Sequence, residues 1–327
     1  MDTASRFRDF AAAADLGGSA VYAAWATGVA GDAEIIALVD TAAPSQRQPV
    51  LVFAVARTLG ASLDGYPTLR SWLLAHRAAF LRELGRRGTQ TNDVRRVAPV
   101  SVALTRIPGP VALLEVGAAA GLCLFPDRFA VDLGGTVVGD PASGVHVRVD
   151  LNGIEVPSTA RLPQVVWRAG LDLYPLDPLD PEDARWLETL LWPGQDARLD
   201  LLRHALAVVR RGDAEMHGGD ALVRRGDAVD GLAPLAALAP PGATLVVVST
   251  GTLVYLPGHR RQAFVDTISR LGARWISYEK SGLLDGVAAT VPSDVRLGVD
   301  ADTFATLALD GIALAAGDAH GTVLRGW

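Results

Sequence analysis

The amino-acid sequence predicts an α/β fold in which a largely helical N-terminal region precedes a sheet domain. An apolar run at Val111–Val116, interrupted only by Glu115, is typical of a strand that is covered on both faces. From Pro110 onward, strand patterns alternate with helix patterns, which predicts a parallel sheet with right-handed crossovers. Residues 1–107 instead repeat their apolar side chains at helical spacing. We therefore predict a helical cap domain over residues 1–107 and a sheet domain over residues 108–327.

Capping and turn residues position the predicted helices of the N-terminal region. Ser19 can cap one helix, and Pro49 is suited to the first turn of another. A single helix is predicted over Thr68–Leu84, with Gly88 after its basic last turn. A short helix is predicted to begin near Asp93. These signals predict separate, individually capped helices before the first strand.

The predicted strands are short apolar runs separated by turn residues. In chain order they are Val111–Val116, Gln164–Trp167, Ala214–His217, Thr244–Val248, Arg274–Tyr278, Phe304–Leu309 and Thr322–Trp327. Between the first two lies an insertion around residues 133–163. There the apolar alternation of Val145–Leu151 and the Asn152-Gly153 pair predict a β-hairpin that returns through Ile154 and Val156.

Composition restricts the classes of partner and site. The formal net charge of −6 argues against nucleic-acid binding, because phosphate backbones attract basic surfaces. Cys123 is the only cysteine and the six histidines are scattered, so we expect neither a disulfide nor a metal site. No apolar stretch has the length of a membrane span and no signal peptide is evident. We therefore expect a cytoplasmic protein without membrane partners, and leave its oligomeric state open.

Polar residues follow the ends of several predicted strands. They are Glu115, Asp172, Asp220, Ser249 and Glu279. Ligands of open α/β sheets bind at this edge, and carboxylates accept hydrogen bonds from hydroxyl and amino groups. The glycine-spaced turn Gly117–Gly121 would let backbone approach a ligand closely. This pattern favours a nucleotide-like ligand, and the alternative is a tight connection in which the acids only cap turns.

The segment Leu114–Gly121 resembles the first motif of class I S-adenosylmethionine-dependent methyltransferases. That motif is an acid followed by G-x-G-x-G, and Ala119 takes the place of the central glycine here. The resemblance extends over about residues 110–327. It implies a Rossmann-like sheet of about seven strands with an antiparallel last strand, and S-adenosylmethionine as the cofactor.

The same resemblance implies roles for individual residues. Glu115 would position the methionine part of the cofactor, Asp172 would accept from the ribose hydroxyls and Asp220 would lie beside the adenine. Asp172 follows Glu115 by 57 residues, a longer interval than in that family, so the assignment requires the insertion. The complete set of cofactor-binding candidates is Glu115, Gly117, Ala119, Gly121, Asp172, Asp220 and Ser249.

The chain as a whole resembles an uncharacterised bacterial family, domain of unknown function 2332. The resemblance depends on five segments, Thr89–Arg96, Leu113–Phe129, Val165–Asp177, Arg185–Pro193 and Asp318–Gly321. Members of that family often have histidine at the position of Ser249. The resemblance therefore implies that a possible acid or base is replaced in this chain.

Three residues are candidates for the acceptor side of a reaction. His320 could act as a general base near neutral pH, although a turn histidine without a role is an equal alternative. Tyr255 and Arg96 are the other two candidates. For Thr89–Pro99 we favour a capped helix with solvated Arg95 and Arg96, and the alternative is that Asn92, Asp93 and Arg96 lean over the glycine turn and contact a ligand. For the neighbouring Asp127-Arg128 pair we favour a structural ion pair over an anion site.

Two functional hypotheses follow from these patterns. The first is methyl transfer from S-adenosylmethionine to a small-molecule acceptor. The second is a non-catalytic protein that binds a nucleotide-like ligand or acts as a scaffold. A nicotinamide dehydrogenase is disfavoured, because Leu122 stands where the G-x-G-x-x-G spacing requires glycine.

Overall fold

The computed structural model describes residues 2–90, 92–216 and 222–327. Internal contacts divide the chain into two compact units. A helical unit comprises Met1–Thr91 and Asp180–Arg203, and a sheet unit comprises Asn92–Leu179 and His204–Trp327. The predicted domain boundary at residues 107/108 stays a prediction.

Twelve α-helices and six short 3-10 helices occur in the part of the chain that the structure describes. The α-helices are α1 (Thr3–Leu16), α2 (Ala20–Ala30), α3 (Ala33–Val39), α4 (Pro49–Thr58), α5 (Tyr66–Ala75), α6 (Arg77–Arg86), α7 (Val97–Leu104), α8 (Pro181–Leu190), α9 (Asp196–Met216), α10 (Leu232–Ala236), α11 (Gly258–Leu271) and α12 (Asp285–Ala288). The 3-10 helices are Pro44–Gln46, Val94–Arg96, Leu122–Leu124, Pro126–Arg128, Leu253–Tyr255 and Ala301–Thr303. No helix within the described ranges combines the length and apolarity that crossing a membrane requires.

Aromatic side chains form the core of the helical unit. Phe53 of α4 lies edge-on to Phe7 of α1 and Trp25 of α2, with ring centroids 5.6 and 5.4 Å apart. Tyr22 stacks on Trp25 at 5.7 Å. The indole nitrogen of Trp25 donates to the carbonyl oxygen of Asp64, so the buried polar atom is satisfied. These apolar faces explain why α1, α2 and α4 pack together.

The single helix predicted over Thr68–Leu84 is wrong, because the structure has two helices there. α5 ends at Ala75 and α6 begins at Arg77, with His76 between them at φ −114°. The His76 ring stacks on Trp72 at 4.5 Å, and its Nδ1 lies 2.8 Å from the Trp72 carbonyl oxygen. The N–H of His76 still donates to that carbonyl oxygen at 3.0 Å, but the backbone of His76 departs from helical geometry, which the apolar spacing did not reveal.

The sheet unit contains an open mixed sheet, so the predicted α/β class is confirmed. Its eleven strands are β1 (Val111–Val116), β2 (Ala130–Leu133), β3 (Thr136–Gly139), β4 (His146–Asn152), β5 (Val165–Asp172), β6 (Val223–Arg225), β7 (Thr244–Thr250), β8 (Arg274–Lys280), β9 (Ala305–Leu309), β10 (Ile312–Gly317) and β11 (Val323–Arg325). Their order is β3-β2-β4-β11-β10-β9-β8-β7-β1-β5-β6. Strands β6, β5, β1, β7 and β8 are parallel, and β9 is antiparallel to β8.

Eleven strands replace the predicted number of about seven for two reasons. Strand β4 pairs with β2 and also with β11, so the whole insertion joins the main sheet. The unpredicted β10 forms an antiparallel hairpin with β9. The last strand, β11, pairs antiparallel with β10 but parallel with β4.

Two strand predictions are wrong in position. Residues 214–216 end α9, and the third strand of the parallel set is β6 instead; His217 lies outside the described residues. The predicted return through Ile154 and Val156 is not a strand. The hairpin of the insertion lies earlier in the chain and consists of β2 and β3. It turns at Gly134 and Gly135, whose φ angles of +65° and +101° suit glycine.

Candidate functional site

The glycine turn after β1 has the backbone conformation that its residues predict. Gly117 and Gly121 have φ angles of +70° and +73°, and Ala119 also has a positive φ of 51°. A Cβ atom on Gly117 would lie 2.1 Å from Thr252 Oγ1. Glycine is therefore required at position 117 both by its left-handed conformation and by the close approach of the segment after β7.

Donors of the first part of the turn bind neighbouring backbone. The N–H groups of Gly117 and Ala118 both donate to the carbonyl oxygen of Leu171, at 2.8 and 3.1 Å. The N–H of Gly121 donates to the carbonyl oxygen of Ala118 at 2.6 Å. The turn is then followed by the three-residue 3-10 helix Leu122–Leu124. The turn therefore does not lead into a helix long enough to form an anion site at its N-terminus.

Side chains satisfy the two central donors of the turn. Asp172 Oδ2 accepts from the N–H of Ala119 at 2.9 Å, and its Oδ1 accepts from the N–H of Tyr174 at 2.8 Å. Asn92 Oδ1 accepts from the N–H of Ala120 at 3.1 Å. Each N–H of residues 117–121 thus has an acceptor within the sheet unit. Asp172 occupies the position beside the turn that the sequence indicates, but it already binds backbone.

Glu115 is buried at the end of β1, with 3% of its surface exposed. Thr250 Oγ1 lies 3.5 Å from Oε1, while Oε2 has no hydrogen-bond partner among the described residues. Burial raises the pKa of Glu115 to about 8, the Arg96 charge opposes this rise, and the Asp172 charge adds to it. Glu115 is therefore mainly protonated at neutral pH.

Arg96 lies between the carboxyl end of β7 and the segment that precedes β11. Its guanidinium donates to the carbonyl oxygens of Thr250 and Ala319, at 3.1 and 3.3 Å. Its charge lowers the pKa of the buried Glu115 and of the buried Glu279. The favoured interpretation of a solvated Arg96 is therefore wrong, because this side chain is partly buried and donates to backbone inside the polar cluster.

His320 forms a hydrogen-bonded pair with the buried Asp93. Its Nδ1 lies 2.8 Å from Asp93 Oδ2, and 44% of the imidazole side chain is exposed against 3% of the carboxylate. Asp93 also accepts two bonds from Arg95, at 2.6 and 2.8 Å, and one from the Arg95 N–H. Asp93 therefore fixes the orientation of the imidazole, while Arg95 balances its charge.

Glu279 and Ser249 have structural partners at the ends of β8 and β7. Burial raises the pKa of Glu279 to about 7, although the N–H groups of Leu253 and Thr252 donate to its carboxylate and lower it. Ser249 is fully buried, and its Oγ accepts from the indole N–H of Trp275 at 3.2 Å. Both residues therefore stabilise the strand ends.

Tyr255 lies apart from this cluster. It follows β7 with 82% of its surface exposed. Asp220 lies outside the described residues. Among the residues that the structure describes, no group of three or more His, Cys, Asp or Glu side chains could hold a metal ion. Of the sequence candidates, the structure brings Glu115, Asp172 and Arg96 together around the turn.

Two partners of the site were not among the chosen candidates. Asn92 contacts the turn through Oδ1, and its Nδ2 is buried without a hydrogen-bond partner in the described part of the chain. The neighbouring Asp93 holds His320. Their signal in the sequence was the run of capping residues before α7, and its contact with the turn was considered only as an alternative.

Asp127 forms the structural ion pair that was favoured over an anion site, but its main partner differs. Both of its carboxylate oxygens accept from the buried Arg168, at 2.7 and 2.8 Å. Arg128 lies farther away, at 3.9 Å. Arg168 has only 1% of its surface exposed and lies over the ring of Phe125 at 4.7 Å. The pair thus holds the segment after the turn against β5.

Comparison with known proteins identifies the family. A family model described as an uncharacterized protein conserved in bacteria, DUF2332, matches residues 4–325. No curated protein matches the chain. Because the match extends over nearly the whole sequence, the chain belongs to this family, as its motifs predicted.

Proposed function

We propose that this DUF2332 protein binds S-adenosylmethionine at the carboxyl edge of its parallel strands and transfers the methyl group to a small molecule. In this proposal β6, β5, β1, β7 and β8, with antiparallel β9, are a Rossmann-like core of methyltransferase type. The remaining five strands are additions to that core. The order of the five parallel strands and the glycine turn after the central strand β1 support this interpretation.

The observation that carries the proposal is a pair of unsatisfied polar atoms near the turn. Glu115 Oε2 and Asn92 Nδ2 are both buried without a hydrogen-bond partner in the described residues. An unpaired buried polar group costs about 1–3 kcal/mol, so such groups usually have a ligand or water as partner. The amino-acid end of S-adenosylmethionine has an ammonium donor, whose positive charge would hold Glu115 ionised in the complex, and a carboxylate acceptor for Asn92.

Asp172 retains acceptor capacity for ribose hydroxyls. A carboxylate offers about four lone pairs, and each oxygen of Asp172 accepts one backbone N–H. The same bonds fix the carboxylate beside the turn. Asp172 would therefore orient a ribose without any change of its present contacts.

His320 is the residue best placed to accept a proton from the methyl acceptor. With Nδ1 held by Asp93, its Nε2 is the free nitrogen of a half-exposed ring. When bound, the cofactor would supply an activated methyl group on a sulfonium, whose sulfur–carbon bond breaks and leaves a neutral thioether. The protein then aligns the acceptor, and His320 receives the proton that the acceptor loses as the new bond to carbon forms.

The test is calorimetric titration of the purified protein with S-adenosylmethionine and S-adenosylhomocysteine. We expect Glu115→Gln to weaken binding at least about tenfold, because the ammonium loses a carboxylate acceptor. Glu155 is an exposed acid of the same unit, and Glu155→Gln is the matched control that should bind as the wild type does. The absence of binding to the wild type at millimolar ligand would overturn the proposal.

A second candidate is a non-catalytic role in which the same fold acts as a scaffold. It is favoured by the turn itself, whose five N–H groups all have internal acceptors. A turn of this kind needs no ligand to be stable. In that case neither cofactor would bind, and Glu115→Gln would change only the stability of the protein.

A further inference from the structure

The helical unit contains a cavity of about 640 Å³ that is rich in arginine. This volume lies within the range of roughly 300–1,000 Å³ that small-molecule sites occupy. Five arginines line the cavity, namely Arg57, Arg86, Arg87, Arg185 and Arg203. Its acidic lining residues are Glu83, Glu182 and Glu188. Two positive charges are therefore in excess at this cavity, in a chain whose formal net charge is −6.

Two of the arginines are held in a network with two of the acids. Glu83 accepts from Arg86 at 3.0 Å and from Arg87 at 2.8 Å, and Glu182 also accepts from both. Hydrogen bonds from Arg86 lower the pKa of Glu182, and those from both arginines lower the pKa of Glu83 against the effect of its burial. Arg87 also lies over the Trp186 ring at 4.9 Å. Asp183 lies 3.9 Å from Arg87 as a further acid, so neither arginine of the network lacks an acidic partner.

Arg57 is anchored through only one of its three nitrogens. Its Nη1 donates to the carbonyl oxygens of Thr189 and Leu191, at 2.9 and 2.8 Å, and to the Tyr22 hydroxyl at 3.1 Å. Nε and Nη2 have no acceptor among the described residues. A guanidinium is a rigid fork of five N–H donors, so anchoring one nitrogen leaves an oriented set of donors.

Arg185 is the second arginine of the cavity that has no acidic partner. Arg203, by contrast, pairs with Glu188 at 2.8 Å. The Arg185 side chain is exposed and makes neither an ion pair nor a hydrogen bond within the described part of the chain. Arg57 and Arg185 are thus the two uncompensated cations that line the same cavity.

We propose that this cavity binds a small molecule through its phosphate group, held by Arg57 and Arg185. A phosphate monoester carries about two negative charges at neutral pH, which suits the two guanidiniums of the cavity that have no acidic partner. Its oxygens accept paired hydrogen bonds from guanidinium groups. The volume exceeds that of a phosphate and leaves room for an organic part, for which Leu59 and Leu199 offer apolar surface.

The experiment is calorimetric titration of the full-length protein with ribose 5-phosphate, inorganic phosphate and ribose. The wild type should bind ribose 5-phosphate more tightly than inorganic phosphate and should give no heat with ribose. Arg185→Ala should weaken binding of ribose 5-phosphate about tenfold, the loss expected for one charge-assisted contact. Arg82 is an exposed arginine of α6 that does not line the cavity, and Arg82→Ala should bind within twofold of the wild type.

Arg57→Lys tests the role of the second cation in phosphate binding. The ammonium keeps the positive charge and can still donate to the carbonyl oxygens. The substitution should weaken binding of ribose 5-phosphate at least fivefold, because an ammonium does not reproduce the fork. If Arg57→Lys unfolds the protein, the charge reversal Arg185→Glu decides, since it should abolish binding. No binding of either phosphate probe to the wild type, or equal losses in Arg185→Ala and Arg82→Ala, would overturn the proposal. This site does not depend on the proposed methyl transfer.

Discussion

Glu115 in the sheet unit and Glu83 in the helical unit are both withdrawn from water, yet their pKa values move in opposite directions. Burial raises the pKa of Glu115 to about 8, while hydrogen bonds from two arginines lower the pKa of Glu83 despite its burial. Glu115 has a positive neighbour in Arg96, but that guanidinium donates to backbone carbonyls instead. Direct donation of hydrogen bonds, more than proximity of charge, therefore decides the protonation state of these two glutamates.

The two proposed ligand sites also differ in which of their polar groups have partners within the protein. At the glycine turn, every backbone donor is used internally and two buried side-chain atoms remain without a partner. At the arginine-lined cavity, the acids are satisfied and two guanidiniums are in excess. A ligand of the sheet unit must therefore supply a donor and an acceptor, whereas a ligand of the helical unit must supply negative charge.

The substitution with the largest expected effect on stability is Gly117→Ala, which would disrupt the close packing of the turn. Gly117→Ala places a Cβ atom 2.1 Å from Thr252 Oγ1 at a φ of +70°, so we expect a loss of about 4 kcal/mol in the free energy of unfolding. Gly109 has a similar φ of +77° with no atom within 4 Å of its Cβ position. Gly109→Ala should cost about 1 kcal/mol, for conformation alone. Urea unfolding of both variants measures the difference, and equal losses would contradict close packing at the turn.

The next effect compares a buried ion pair with an exposed one. Asp127→Ala leaves the guanidinium of Arg168 buried without its carboxylate, so we expect a loss of about 3 kcal/mol in the free energy of unfolding. Glu188→Ala removes the acid of an exposed pair in the helical unit and should change stability little. Thermal and urea unfolding check both variants. A small effect of Asp127→Ala would mean that water reaches Arg168.

The elements predicted correctly are those whose local pattern matches their tertiary position. The apolar runs of β1, β7 and β8 are covered on both faces, and the sequence shows this directly. Strand β10 was missed because its alanines and glycine give a weak strand signal. Strand β6 has three residues and is held by pairing with β5, which no local pattern shows.

The residues of the candidate site likewise separate into those with a local sequence signal and those without one. The glycine positions and Glu115 were predictable, because a strand end and a left-handed turn are local features. The contacts of Asn92 with Ala120 and of Asp93 with His320 join residues 28 and 227 positions apart. Such pairs depend on how the chain folds back, so the sequence left the first contact as an alternative and did not indicate the second.

The pH dependence of stability in Glu115→Gln tests the difference between the two glutamates. The pKa of Glu115 is about 8 in the folded protein and 4.5 for an ordinary glutamate, so the folded state holds a proton that the unfolded state loses between these values. The contribution of Glu115 to stability therefore falls as pH rises from 4.5 to 8. Glu115→Gln should remove this loss, so its stability relative to the wild type should increase as pH rises from 4.5 to 8.

Glu83→Gln is the control, because removing this carboxylate should affect stability in the opposite direction. Because the pKa of Glu83 is lowered, its contribution is present above an ordinary glutamate pKa and is lost as pH falls through its folded value. Glu83→Gln should therefore be less stable than the wild type at pH 7. Urea unfolding between pH 4 and pH 8 follows both variants. The same pH dependence for the two would contradict the assigned protonation states.

The smallest expected effect is that of His320→Gln, which separates a role in chemistry from a role in stability. The imidazole is nearly half exposed, and Asp93 keeps its bonds to Arg95 when the ring is removed. We therefore expect a loss below about 1 kcal/mol in the free energy of unfolding. Affinity for S-adenosylhomocysteine should also be unchanged, since in the proposal His320 contacts the acceptor and not the cofactor. Urea unfolding and calorimetry measure the two quantities. A loss above about 2 kcal/mol would instead make the His320–Asp93 pair a structural clamp, and the base of the proposed transfer would have to be sought elsewhere.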